Sequence, residues 1–402
     1  MEMKNTVEVI AKIKQEIAGH QEEMVRFMRD LIRIPSESCQ EKEVVQRIKE
    51  EMERVGFAEA FVDGMGNIIG RVGSGERVIA YDAHIDTVGI GDPAEWNWDP
   101  YEGKMEDGYI YGRGATDQEA SMVSMVYAGK AIKDLGLHNE FSLYFVGSVQ
   151  EEDCDGLCWQ YILNEELIDP ELVVVTEPTN LNIYRGHRGR MEMQVITEGV
   201  SCHGSAPERG VNSLYKMARI ISGIEKLNER LKEDDFLGKG TIAATHITNE
   251  TPSLNAVPNK TLIHLDRRLT AGEDKELAVN QIREVIEAAG VEARVEIPRY
   301  DTPSYTGLVY ETEKYYPTWL LEEDHPAIQS AVAAYQEVFQ QEPLVDKWTF
   351  STNGVSIMGR EGIPCVGFGP ANEIYAHTVN EKVSVEHLLK AAQFYAWLPS
   401  KL

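Results

Sequence analysis

The sequence predicts an α/β protein with a mainly parallel sheet, interrupted by a ferredoxin-like insertion. Three observations carry this. At both ends of the chain, strand-length apolar runs alternate with helical patterns. Some of those runs, such as FSLYFVGSV and ELVVV, are apolar throughout, as strands covered on both faces are. Between about residues 187 and 300 the order changes to β-α-β-β-α-β, the order of a ferredoxin-like unit.

Residues 6–33 place Val9, Ile10, Ile13, Ile17, Met24, Phe27, Met28 and Leu31 at helical spacing, with Gly19 as an interruption. A second helix is expected at about 41–55. The runs AFVD, NIIGRV and RVIAYDAHID then read as strands, and DQEASMVSMVYAGKAIKDLG as a helix. The strand FSLYFVGSV, a short helix near 156–165 and the strand ELVVVTEP follow. In the insertion, GRMEMQVITEG alternates like a half-exposed strand and SLYKMARIISGIEKLNERL is an amphipathic helix. GTIAATHITNE and KTLIHLDRRLT read as strands, DKELAVNQIREVIEAA as a helix and VEARVEIPRY as a final strand. The α/β pattern returns with helix HPAIQSAVAAYQEVFQ, strand IPCVGFGP and helix SVEHLLKAAQFYAWL. The expected division is therefore 1–186 with 301–402, and 187–300 between them.

Composition narrows the function. The chain has 402 residues, room for two domains and a large core. Its net charge of −27 opposes nucleic acid and anionic membranes, and favours cations. No signal peptide or membrane-length apolar run is seen. Five scattered cysteines read as free thiols, so a reducing cytoplasm is expected. Cys154 and Cys158 are spaced C-x3-C without a second pair, which argues against a structural zinc knuckle.

The polar residues after the strands are the sharpest signal. RVIAYDA runs into His84 and Asp86. FSLYFVGSVQ runs into Glu151 and Glu152. ELVVVT leads to Glu177, and IPCVGFGP leads by a loop to His377. Asp117 opens a helix after YGRGAT. Ligands of open parallel sheets bind beyond the carboxyl ends of the strands. Three carboxylates in a row after a buried strand, Glu151 to Asp153, repel one another unless water or a cation offsets them. An acidic surface loop is the blander reading, and the convergence of so many strand ends weighs against it. Two histidines with several carboxylates suit Zn2+, or Mn2+ or Co2+. Six candidate groups exceed one site's needs, so two ions fit better than one. Of the adjacent glutamates, one can bind metal while the other stays free as general base toward water.

These residues resemble the M20 family of metallohydrolases. AHIDT, YGRGATD, QEED, EPT, CHGSAPERGVNS, NAVPN and AHTVNE occur in family order over nearly the whole chain. Within the family the sequence looks closest to a branch of selenium-metabolism-linked hydrolases. The resemblance implies a zinc-peptidase-like catalytic domain with an inserted lid and dimerisation domain. His84, Asp117 and Glu177 would hold one metal, and Asp117, Glu152 and His377 the other, with Asp117 bridging. Asp86 would orient His84, and Glu151 would be the base. His203 would reach a partner subunit's site to stabilise the oxyanion. Asn255 and Arg268 would contact the substrate carboxylate, with Arg188 a weaker candidate. The activity implied is hydrolysis of the amide bond of an N-acyl amino acid or small peptide, in a homodimer.

The sequence departs from the family at Gln118-Glu119-Ala120, where Met-Lys-Gly is common, at Gly204-Ser205 after His203, and at Ser351-Thr352-Asn353, where Gly-Thr-Asp is common. None removes a metal ligand. A serine hydrolase is disfavoured by the lack of a G-x-S-x-G elbow, and a dinucleotide enzyme by Asp117 where GRGATD needs its third glycine. The rival of another class is a ligand-binding or regulatory protein that kept the fold without catalysis. Glu151 weighs against it, since a pure binder needs no base. Cys154 reads as a bystander thiol, and His246, His264 and His325 as structural or exposed.

Overall fold

The structure, a computed structural model, describes residues 2–138 and 140–402. Among the described residues, eight strands form the central sheet. Their order is Glu59–Val62, Ile68–Gly73, Phe141–Ser148, Arg77–His84, Leu172–Val175, Cys365–Gly367, Ile183–Tyr184 and Val345–Asp346. The four middle strands, from Phe141–Ser148 to Cys365–Gly367, are mutually parallel. The two strands at the Glu59 edge are antiparallel. Leu172–Val175 is buried at every position, as a strand covered on both faces must be.

Helix Glu119–Asp134 lies against Arg77–His84 and is flanked by Val385–Trp397 and Gln21–Ile32. It is apolar almost all round because neighbours cover it on nearly every side. The amino-terminal helical stretch is two helices, Glu2–Gly19 and Gln21–Ile32, which part at His20 beside the expected interruption. No described helix is long and apolar enough to cross a membrane.

A second sheet runs Thr241–Glu250, Lys260–Leu269, Gly189–Glu198 and Arg294–Glu296, all antiparallel. Helices Ser213–Glu229 and Lys275–Ala288 cover one face. Met191, Met193, Val195, Ile263 and Leu265 form a core with Ile220, Ile224 and Ile282, separate from the core under the large sheet. Lys260–Leu269 alternates buried and half-buried residues along its length, the period-two signature that makes it legible. The strand expected over VEARVEIPRY is split. Pro298 has no N–H to give a ladder, so pairing stops at Glu296 and resumes at Arg299–Tyr300 against Thr312–Glu313. Tyr315–Tyr316 returns to pair with Arg190 and Met191.

Candidate active site

The four parallel strands carry their polar residues to one edge. His84 ends Arg77–His84, Glu151 and Glu152 lie just beyond Phe141–Ser148, and Glu177 lies two residues past Leu172–Val175. Asp117 comes from the loop before helix Glu119–Asp134. His377 follows the short turn Glu373–Tyr375 after Cys365–Gly367. Gly369 lets that last segment approach closely, since a Cβ there would lie 2.2 Å from the Glu177 carbonyl oxygen. Gln150 and His377 both take left-handed backbone, φ 57° and 58°, a conformation that non-glycine residues hold mainly at constrained sites.

These side chains meet. His84 Nε2 is 2.8 Å from Asp117 Oδ1 and 3.5 Å from Glu177 Oε1. His377 Nε2 is 3.2 Å from Asp117 Oδ2 and 3.0 Å from Glu152 Oε1. Asp117 thus stands between the two histidines. Ligand atoms of His84, Asp117 and Glu152 lie within 4.8 Å of one another, and so do those of His84, Glu151 and Glu177. Distance alone does not separate a ligand from a base at Glu151. All of them line one cavity of about 320 Å3.

The electrostatics call for a cation. Burial pushes the Glu151 and Glu177 carboxyls well up, reinforced by neighbouring carboxylates. Burial would lower His84, but Glu177, Asp117 and Glu151 outweigh it and raise its pKa. His377 is raised to about 10 by its hydrogen bonds to Asp117 and then Glu152. Glu151 Oε1 and Glu177 Oε2 are buried without a hydrogen-bond partner among the described residues. An orphaned buried carboxylate oxygen beside an imidazole fits a divalent metal, which would satisfy Glu177 directly and leave Glu151 Oε1 to face water.

The surrounding residues hold this geometry. The Asp86 carbonyl oxygen is 2.9 Å from His84 Nδ1, closer than its carboxylate at 3.6 Å. That carboxylate instead accepts the amides of Glu151 and Glu152, at 3.1 and 3.0 Å, and the Ser38 hydroxyl at 2.6 Å. Asp86 therefore aims the glutamate pair as well as touching the histidine. Glu381, wholly buried, accepts the amides of Thr116 and Asp117 at 2.6 and 2.9 Å, and Arg113 Nη1 at 2.7 Å. It ties the Asp117 loop to the segment that carries His377. Asn353 donates to Asp82 at 2.9 Å and accepts the Gly156 amide, which explains the departure there. A second carboxylate opposite buried Asp82 would repel it.

The remaining expected residues divide. Arg268 lines the cavity. Arg188 does not; it is half-buried and donates to the Lys239 carbonyl. His203 and Asn255 are exposed and lie outside the cavity, joined to each other through the bridge His203–Ala256 and the Gly204 amide on the Asn255 carbonyl. Ser205 donates its backbone N–H to His203 Nδ1 at 3.1 Å. That nitrogen is therefore the acceptor, and Nε2 carries the proton. Cys154 is buried, its thiol pushed up to about 12 by burial. His325 caps helix Pro326–Phe339, and His264 meets Glu192. The cavity also takes in Asp155, Arg190, Ser351 and Glu373. Asp155 and Ser351 had a signal, being next to QEED and in the Ser-Thr-Asn departure, while Arg190 had none beyond its alternating strand.

Comparison with known proteins identifies the family. The model of peptidase family M20/M25/M40 matches residues 80–400. The chain belongs to that family. Two further likenesses cover almost its full length. The uncharacterized protein YgeY of Escherichia coli strain K12 is 54% identical over 387 residues, 96% of each chain. A probable succinyl-diaminopimelate desuccinylase of Staphylococcus epidermidis is 22% identical, over 93% of this chain and 96% of that protein. Among solved structures, aminopeptidase PepT of Bacillus cereus superposes with a TM-score of 0.72 at 22% identity, covering 95% and 98% of the two chains. The YXEP protein of Bacillus subtilis, a dinuclear metal binding peptidase of the M20 family, gives 0.70 at 17%, covering 95% and 98%. This M20 member is a metal-dependent amide hydrolase.

Proposed function

We propose that the protein hydrolyses the amide bond of an N-acyl amino acid or small peptide at a centre of two divalent ions, zinc first, with Co2+ or Mn2+ able to replace it. The observation that carries this is Asp117 standing between His84 and His377, with a carboxylate oxygen toward each. His84, Asp117 and Glu177 would hold one ion, and Asp117, Glu152 and His377 the other. The dinuclear relative with the same fold supports the count. Bound there, the ions would polarise the scissile carbonyl and make water a stronger nucleophile at neutral pH.

Glu151 takes the proton from the attacking water and passes it to the leaving nitrogen. Its unpartnered buried Oε1 suits that role. Asp86 keeps Glu151 and Glu152 apart in function by fixing both amides. Arg268 receives the substrate carboxylate; Arg188, tied to the Lys239 carbonyl outside the cavity, does not share that role, and Asn255 would do so only from a neighbouring subunit together with His203.

His203 donates Nε2–H to the oxygen that gains charge, in a neighbouring subunit's site. The lack of any partner for Nε2 among the described residues supports this, as does the completely exposed Leu254 beside Asn255. The outer strand Thr241–Glu250, exposed at every residue but Ile242, offers an edge for a homodimer. Two separate cores support 1–186 with 301–402 as the catalytic domain and 187–300 as the lid. Five free thiols support a cytoplasmic location.

The test is metal analysis joined to hydrolysis of a panel of N-acyl amino acids and dipeptides with Zn2+, Mn2+ or Co2+ added. Two ions per chain and metal-dependent turnover are expected. Full activity in thoroughly metal-free protein would sink the proposal.

A further inference from the structure

We infer that Arg190 reads a second carboxylate on the amino half of the substrate, so that the released amine is an acidic amino acid. The inference rests on the amide-hydrolase reading above and names the substrate class of that site.

Arg190 on strand Gly189–Glu198 stands directly opposite Arg268 on Lys260–Leu269. Side chains so placed share a face, with Cβ atoms about 4.5–5.5 Å apart. Both line the cavity that holds the carboxylate–histidine cluster. Like charges directly opposed destabilise a sheet, so a cavity wall built this way needs anions. The two carboxylates that stand against them, Asp266 and Asp155, do not use up the donors. Asp266 takes Arg268 Nε and Nη2, at 2.9 and 3.2 Å, and leaves Nη1 without an acceptor among the described residues. Asp155 Oδ1 lies 3.4 Å from Arg190 Nη2, an ion-pair distance rather than a good hydrogen bond. The other oxygen of Asp155 is occupied by the Ser351 hydroxyl. Arg190 Nε is buried with no partner among the described residues. The guanidinium lies over the Tyr316 ring, 4.5 Å from its centroid, which fixes its plane.

The bland reading is that Arg190 merely neutralises Asp155. A guanidinium with that task would donate to the carboxylate in a fork, as Arg268 does to Asp266. Arg190 does not, and keeps its donors for something else. One carboxylate can accept from two guanidinium groups, but Arg268, with Nη1 unused among the described residues, serves the α-carboxylate by itself, which leaves the donors of Arg190 for a second anion. An acidic amino acid carries two carboxylates a few bonds apart on one side of the scissile bond. A monoamide of a dicarboxylic acid would put them on opposite sides, away from the Arg190–Arg268 pair.

The test is calorimetric titration of zinc-loaded protein with glutamate, glutamine, aspartate, asparagine and succinate. Metal content is measured first, so failure of the metal centre is seen separately from failure of this inference. Each acid should bind at least roughly tenfold tighter than its amide, the scale of one charge-assisted contact. Arg190→Gln should remove that preference, weakening glutamate binding far more than glutamine binding. Arg190→Lys keeps a cation beside Asp155, guards against misfolding, and should fall between. Equal binding of glutamate and glutamine to the unaltered protein overturns the inference. So does a preference that survives Arg190→Gln, or Arg190-dependent binding of succinate without that of glutamate.

Discussion

His377 and His203 are both exposed histidines on loops, yet only one has an anion to meet. His377 leans on Asp117 and Glu152 within its own chain. His203 is held only by Ser205, its Nε2 proton pointed at nothing described. One belongs to a cluster that a single chain assembles at its strand ends. The other belongs to an exposed surface where its Nε2 meets nothing among the described residues. Groups that satisfy one another locally are read from one chain, whereas unsatisfied exposed donors ask what is missing.

The widest separation between the two regions comes from the glutamate pair. Glu151→Gln keeps size and polarity but takes no proton. It should retain both metals and lose about 10²–10⁴ in kcat. Glu152→Gln should instead lose metal. Equal metal content in the two variants, by elemental analysis, would erase the division of roles.

His203→Ala should bind metal normally and lose about 10²–10³ in kcat, the loss of one oxyanion donor. Mixed with Glu151→Gln it becomes a test across subunits. A hybrid dimer has one site with both lesions and one with neither, so activity should partly return. If mass labelling confirms exchange and no activity appears, His203 serves no neighbouring site.

Glu381→Ala sharpens the cluster side. It strands Arg113 and two loop amides, and breaking a buried ion pair costs about 3–5 kcal/mol. Denaturation should show that loss, and metal titration should show weaker binding, because the Asp117 loop loses its brace. Lost stability with unchanged affinity would make Glu381 a scaffold residue only.

The smallest expected effect lies at the join of the two regions. His187 Nε2 accepts from Trp319 Nε1 at 2.7 Å and from the Thr352 amide at 3.0 Å. Both are donors only, which disfavours a proton on that nitrogen, and the Thr352 hydroxyl at 3.0 Å is the one neighbour that could accept it. Burial, with the Arg268 charge, lowers its pKa to about 4 from 6.5. The neutral form is the folded one. Its contribution is complete above the unfolded pKa and is lost as pH falls from about 6.5 to 4. The scale is about 3 kcal/mol. His187→Gln should flatten the stability profile in that window, measured by urea unfolding at stepped pH. An unchanged slope would assign the acid sensitivity elsewhere.

Much of this was legible because strand ends mark themselves. An apolar run that stops at His84, Glu151 or Glu177 announces both the strand and the site. Lys260–Leu269 was equally plain from its alternation. Two-residue strands such as Ile183–Tyr184 and Gly186–His187 were not, since so short a pairing has no period. Arg190 and Glu381 escaped for another reason. Arg190 gains meaning only from Arg268 across the ladder, and Glu381 only from a loop more than 260 residues earlier. The dual use of Asp86, carbonyl to the histidine and carboxylate to the glutamate amides, is likewise a matter of distances.

The strand Cys365–Gly367 sits between Leu172–Val175 and Ile183–Tyr184. During synthesis those two earlier strands leave the ribosome with a gap between them that stays open until nearly the whole chain has been made. The unit from Gly189 to Glu296 has its own core and four of the five strands of its sheet, so it can condense while the larger sheet waits. Domains generally fold as units as they emerge. His377 leaves the ribosome after every other member of the cluster. Between Glu177 and His377 the nascent chain therefore carries an acidic, half-built nest, and it acquires its last imidazole only as the sheet closes.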